Sequence, residues 1–286
     1  MTTTLSPDPL ADLRALFTYP FMVNALEAGT IVAVLAAAVG WYMVLRRQTF
    51  AGHTLSVMAF PGAAGAALAG LPTALGYYVA CAGAALLMRR AGGRQFRHGY
   101  GTETATIATV QAMGLAAGYL FLSLGHGVLG GTETLLFGTF LGVSRNQVLT
   151  LLIIAAAALI LIATATRPLL LETIDPEAAT ARGLPVALLD TGFLLVLAAA
   201  VAATSQITGA LLVFALLVAP AAAAQQLTMR PGAGLLLSVA FALAIVWLGL
   251  GIAYFSIYPV GFYVTSIAFA VYLAARFARV ATTRLA

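Results

Sequence analysis

The chain has 286 residues, 62% of them hydrophobic and only 8% charged, with a mean hydropathy of +1.01; so few charges cannot cover a soluble surface, and the composition is that of an integral membrane protein. The net charge of +5 arises from 14 basic residues, all arginine, placed in small groups at the ends of apolar runs. That placement speaks for membrane orientation rather than nucleic-acid binding, and no segment remains for a soluble catalytic domain.

The opening MTTTLSPDPLADLRALF lacks a basic start followed directly by an apolar core, so residues 1–20 read as a retained interfacial lead-in. Apolar runs then recur near 21–45, 54–70, 71–89, 102–123, 146–166, 186–203, 206–228, 232–254 and 258–277. Each suits a helix crossing roughly 30 Å of hydrocarbon. Arginine groups at 46 and 47, at 89, 90, 94 and 97, at 167 and 182, at 230, and at 276, 279 and 284 leave room for an even number of crossings in every interval. The positive-inside rule then puts all these groups in the cytoplasm, with the N-terminus outside and the C-terminus inside. Only Arg14 and Arg145 stand on the other side.

The expected fold is therefore all-α: a polytopic bundle of eight or nine transmembrane helices forming a single domain over 1–286. The smaller count arises because Pro61, Gly62, Gly65 and Gly70 interrupt the 54–70 run, which as a broken or re-entrant element would not cross. Cys81 lies inside a span, cannot form an internal disulfide and reads as packing. Small-residue stretches, GAAGAALAG at 62–70 and PAAAA at 220–224, predict close helix contacts. Tyr254, Phe255, Tyr258, Phe262 and Tyr263 mark an outer turn at headgroup level. No internal repeat is apparent.

The charged stretch ETIDPEAATARGLP, residues 172–185, carries Glu172, Asp175 and Glu177, three of the nine carboxylates. It reads as a complete short helix. Asp175 is a good N-cap, Pro176 suits the first helical position, and Glu177 and Ala178 follow near the positive end of the dipole. Arg182 lies near the negative end, Gly183 caps it, and Pro185 blocks continuation. Ionisable groups within or at the ends of the spans are Glu27, His53, Glu103 and Asp190. Such groups are costly in lipid and default to functional candidates, although Glu103 and Asp190 also sit where a helix dipole favours a carboxylate. Met58 and Met113 offer soft sulfur or packing; His98 and His126 lie in the basic loop and at an outer turn.

Residues 172–185 resemble the cytoplasmic coupling loop of the permease subunits of ABC-type divalent metal importers, the zinc, manganese and iron group. RRQTFAGHTLSVMAFPGAA (46–64), LLFGTFLGVS (135–144), TGALLVFALLVAPAAAAQQLT (208–228) and YPVGFYV (258–264) are similar to further elements of that family, in order. The resemblance implies a multi-pass permease of the cell membrane without its own ATPase site, and coupling through Asp175, Pro176, Glu177, Ala178, Arg182 and Gly183. It implies a second permease copy in a homodimer, or a pair with a related permease, together with two cytoplasmic ATP-binding subunits and an extracellular or periplasmic metal-binding protein. The chain has no GxxxxGK[ST] phosphate loop, so no cofactor is expected on it and ATP would be used by the partner.

The candidate metal path is His53, Ser56, Met58 and Glu103, with His53 as the metal contact. Where the family carries Asp and His four residues apart, this chain has His53 and Val57, neighbours on one helix face. Imidazole suits zinc, copper, iron or nickel better than manganese, which points to zinc. A permease for a metal chelate or cobalamin is the competing substrate reading. A secondary carrier would need charged relay groups at mid-span, where these spans are nearly empty of them, and an intramembrane enzyme would need a Ser-His-Asp set or HExxH, neither of which appears.

Overall fold

The computed structural model describes residues 17–92, 102–125, 135, 136, 138 and 140–285. Its helices are α1 (Pro20–Leu45), α2 (Thr49–Leu68), α3 (Thr73–Gly92), α4 (Thr102–Leu124), α5 (Arg145–Ile174), α6 (Pro176–Ala181), α7 (Val186–Leu227), α8 (Pro231–Tyr254) and α9 (Val260–Leu285). No strand occurs among the described residues. Pro20–Leu45, Arg145–Ile174, Val186–Ala210, Pro231–Tyr254 and Val260–Thr282 are each long and apolar enough to cross a membrane. The protein is a multi-pass helical membrane protein.

Helix α1 is apolar on all sides, as a helix surrounded by others must be. Met22, Val32, Leu35 and Met43 are fully buried. Its neighbours fix the direction of every other helix. Asn24 donates to the Val143 carbonyl just before α5, and Tyr42 bonds Thr166 near its other end, so α1 and α5 run parallel. Ser238 donates to the Ala37 carbonyl, and methyl groups added at Gly29 and Gly234 would meet Val246 and Trp41, so α8 is antiparallel to α1. Cys81 Sγ donates to the Leu55 carbonyl, and Gly62 abuts Gly76, so α2 and α3 are antiparallel.

The 42 residues of α7 would reach about 63 Å if straight, twice the hydrocarbon thickness. Instead both ends lie beside the same end of α1: Asp190 pairs with Arg46, and Gln225 donates to the Trp41 carbonyl. The chain reverses at Gly209, whose φ of 75° and ψ of 161° suit only glycine. A Cβ there would strike the Leu136 carbonyl and the Gly138 nitrogen. The two crossings expected at 186–203 and 206–228 therefore exist, but the reversal sits later and takes a single residue, because Gly138 packs directly against it. Gly138 also has positive φ, 77°.

Nine segments thus alternate in direction among the described residues. Helix α2 is continuous from Thr49 to Leu68 with Pro61 inside it, so the broken-element alternative is not what forms. Arg46, Arg89, Arg182, Arg230 and Arg279 all fall at one end, as the orientation argument requires. Arg89 donates to the Ala187 carbonyl at the start of α7, and Arg279 donates to Gln226 at its finish. The expected close contacts are also present. A methyl on Gly40 would collide with the Leu217 carbonyl, and one on Gly62 with the Gly76 carbonyl.

Candidate functional site

Helix α6 joins α5 to α7 at the arginine-bearing end. Asp175 Oδ1 accepts from the Ala178 N–H at 2.8 Å, as expected of an N-cap, and Pro176 occupies the first position. The Arg182 N–H donates to the Ala178 carbonyl at 3.1 Å, the Leu184 N–H donates to the Ala179 carbonyl at 3.1 Å, and Gly183 has φ 73°. Ala179 is buried beneath the helix, while Asp175, Pro176, Glu177 and Arg182 are exposed and Ala178 is half-buried. The helix presents a compact polar knob away from the bundle.

Glu172 behaves differently from the rest of that charged stretch. Its side chain is fully buried and accepts from Arg46 Nη1 at 3.0 Å. The Arg46 side chain is equally buried; its Nη1 also donates to Thr173 Oγ1 at 3.3 Å, and its Nη2 pairs with Asp190. The guanidinium lies over the Phe193 ring, 5.0 Å from its centre. The sequence reading grouped Glu172 with the coupling charges, Asp190 with helix starts and Arg46 with cytoplasmic arginines. The structure joins all three in one internal network. The signal available in the sequence was a carboxylate in an otherwise apolar helix, which must find a cation; which arginine it finds depends on packing.

His53 lies one turn into α2, half-buried, with its ring 4.9 Å from that of Phe214 on α7. Val57 and Met58 follow, also half-buried. Pro61 has no N–H, so the Val57 carbonyl lacks its intrahelical donor. Ser56 is buried and donates to the Gly52 carbonyl at 2.9 Å, which keeps its hydroxyl within its own helix. Met58 sulfur lies against Gly114 of α4, a packing contact. Glu103 is in the first turn of α4, but its side chain lies outside the described residues, as do His98 and His126. Met113 is 71% exposed on the outside of the protomer. Among the described residues, no three His, Cys, Asp or Glu side chains gather into a group that could hold a metal.

Glu27 pairs with Arg145 at the outer end, both partly exposed. Nearby, a cavity of about 450 Å³ opens between α3, α5 and α7, lined by Tyr77, Tyr78, Gln147, Thr150 and Gln206 among others. Gln206 Nε2 donates to the Tyr78 hydroxyl at 3.1 Å. The lining mixes these polar groups with apolar side chains such as Leu135, Leu151 and Ile207 and holds no charged one; it is not legible in the sequence.

Residues 18–279 match the model of the ABC 3 transport family. A probable iron transport system membrane protein of Haemophilus influenzae is 30% identical over 242 residues, covering 82% of this chain and 85% of that one. The manganese transport system membrane protein MntC of Halalkalibacterium halodurans is 31% identical over 221 residues, covering 75% and 72%. Among solved structures, PsaBC from Streptococcus pneumoniae in complex with Fab superposes with a TM-score of 0.81 at 26% identity, covering 93% of this chain and 94% of that one.

Proposed function

We propose, from the premise that this chain belongs to the ABC 3 transport family, that it is the permease subunit of an importer moving a divalent transition-metal ion into the cytoplasm. The observation that carries this reading is α6: a capped helix, exposed at Asp175, Glu177 and Arg182, standing at the arginine-bearing end of a bundle that is otherwise apolar. A separate ATPase subunit would grip that knob, one copy for each of two permease protomers. A metal-binding protein would deliver the ion at the opposite end. The full set of coupling residues is Asp175, Pro176, Glu177, Ala178, Arg182 and Gly183.

His53 is the proposed metal contact of the path, with the freed Val57 carbonyl as a neighbouring oxygen donor. Imidazole favours iron or zinc over manganese. Iron stands in the name of one relative and manganese in that of another. Iron therefore ranks first here, ahead of the zinc that the imidazole argument alone selects. Ser56 and Met58 line the approach through backbone and packing rather than as strong ligands.

The test is reconstitution of the chain with its cognate ATPase and binding protein in liposomes, offered Fe²⁺, Zn²⁺, Mn²⁺ or a ferric chelate. ATP-dependent accumulation of Fe²⁺ or Zn²⁺ supports the reading. A response to the chelate alone would replace it with the chelate-permease alternative. Efflux would reverse its direction.

A further inference from the structure

We infer that Arg46 is a positioning residue, the strut through which displacement of α6 reaches the helix that carries His53. The inference rests on the reading of α6 as the contact with a motor subunit.

Two elements flank α6, and both are held by one guanidinium. Glu172 and Thr173 belong to the last turn of α5, directly before the Asp175 cap; Asp190 and Phe193 belong to the first turns of α7, directly after it. Arg46 donates to Glu172 Oε2 at 3.0 Å and to Thr173 Oγ1 at 3.3 Å, pairs with Asp190, and stacks on Phe193 at 5.0 Å. The Arg46 and Glu172 side chains are both at 0% exposure, so water cannot replace either partner when the elements move. The ends of α1 and α5 must therefore shift together or break a buried ion pair, and α7 is tied to them through Asp190, whose side chain is 25% exposed, and the Phe193 ring.

On its other side Arg46 is joined to α2 by a stiff turn. It is the C-cap of α1, its N–H donating to the Tyr42 carbonyl at 2.8 Å. Arg47 holds φ at 57°, a conformation that a non-glycine residue adopts only when its surroundings impose it. The Gln48 N–H donates to the Met43 carbonyl at 2.9 Å, and the Gln48 carbonyl accepts from Gly52, the residue before His53. Gln48 itself is buried. A push on α6 is thereby carried through the fork of Arg46 into the first turn of α2. Lysine has one compact head and cannot span two carboxylates as a planar fork does.

A network that only stabilises the fold would lower the amount of assembled complex, leaving the work done per ATP unchanged. The deciding quantity is therefore metal ions moved per ATP hydrolysed. It would be measured in liposomes holding the full complex and supplied with Fe²⁺, or with Zn²⁺ if that is what the wild type carries. Arg46→Lys is expected to assemble and hydrolyse ATP while this ratio falls about tenfold. Asp190→Ala removes one arm and keeps the buried pair, and is expected to lower the ratio about threefold; it decides the matter if Arg46→Lys fails to assemble. Spin labels at Thr180→Cys and Phe50→Cys, each paired with Met229→Cys, add a second readout. In the Arg46 variant the ATP-dependent shift at position 180 should persist while that at 50 is lost.

A transporting wild type whose variants keep the wild-type ratio and both shifts overturns the strut alone. A wild-type complex that moves no ion and shows no ATP-dependent shift at position 180 overturns the reading of α6, and the strut with it.

Discussion

Arg46 and Glu172 stand 126 residues apart in the chain and 3.0 Å apart in the structure, both with side chains closed to solvent. Their pairing ties the end of α1 to the end of α5. Removing Glu172 leaves the buried Arg46 guanidinium paired with Asp190 on its Nη2 side but without its buried carboxylate on Nη1; breaking a buried pair costs about 3–5 kcal/mol. Glu172→Ala should therefore lower the thermal midpoint of the detergent-solubilised protein markedly, and Glu172→Gln should lower it less, since the amide still accepts a bond. Scanning fluorimetry checks both; an unchanged midpoint would mean that the pair carries little stability.

The Glu27–Arg145 pair gives the opposite expectation. Its side chains are 40% and 62% exposed, and surface pairs contribute well under about 1 kcal/mol. Glu27→Gln should leave both the thermal midpoint and transport near wild type. A large loss of transport would give Glu27 a role on the outer surface that its geometry alone does not suggest.

Glu177 is exposed on α6, away from the bundle. Glu177→Ala should leave the thermal midpoint unchanged yet reduce ATP-driven transport, because on the proposed reading this exposed side chain meets the ATPase and not the fold. Binding of the ATPase to the purified permease provides the direct measurement, and undiminished transport would remove Glu177 from the coupling residues.

For His53 the prediction separates abundance from activity. The ring is half-buried against Phe214, so His53→Ala trims packing modestly while removing the proposed ligand. Metal uptake per unit of membrane-inserted protein should fall, with Fe²⁺ and Zn²⁺ affected more than Mn²⁺. Equal uptake by the variant would demote the ring to packing.

Gly40 and Gly209 are constrained by backbone rather than by flexible side chains. A methyl at Gly40 meets the Leu217 carbonyl, and one at Gly209 meets the Leu136 carbonyl in a conformation closed to alanine. Gly40→Ala and Gly209→Ala should each reduce folded protein sharply. Gly183→Ala, with positive φ but open space around it, should cost only about 1 kcal/mol. Quantitative membrane extraction followed by fluorimetry ranks the three.

Much of this protein is legible in its sequence. The cap at Asp175, the stop at Gly183 and Pro185, and the arginine-marked ends are local or one-dimensional signals, and each reappears in the helices described. Pro61 left the count open between eight and nine: a proline usually interrupts a helix, yet α2 continues through it, as the nine-crossing reading expects. The place of the α7 reversal escaped because Gly209 resembles any other glycine until Leu136 and Gly138 are packed against it. Ser56 and Met58 looked available in sequence, but one hydroxyl is engaged by its own helix and one sulfur fills a gap beside Gly114.

By itself the sequence determined that the chain crosses a membrane many times, at which ends of the crossings the arginines gather and where a short polar helix interrupts the apolar runs. Hydropathy, charge placement and capping act over a few residues or along one axis, so they can be read in order. Only the tertiary structure decided that Arg46, Glu172 and Asp190 meet, because which charges share a dry interior depends on how helices distant in sequence pack. The same packing decided that His53 rests on Phe214 and that α7 folds back at Gly209.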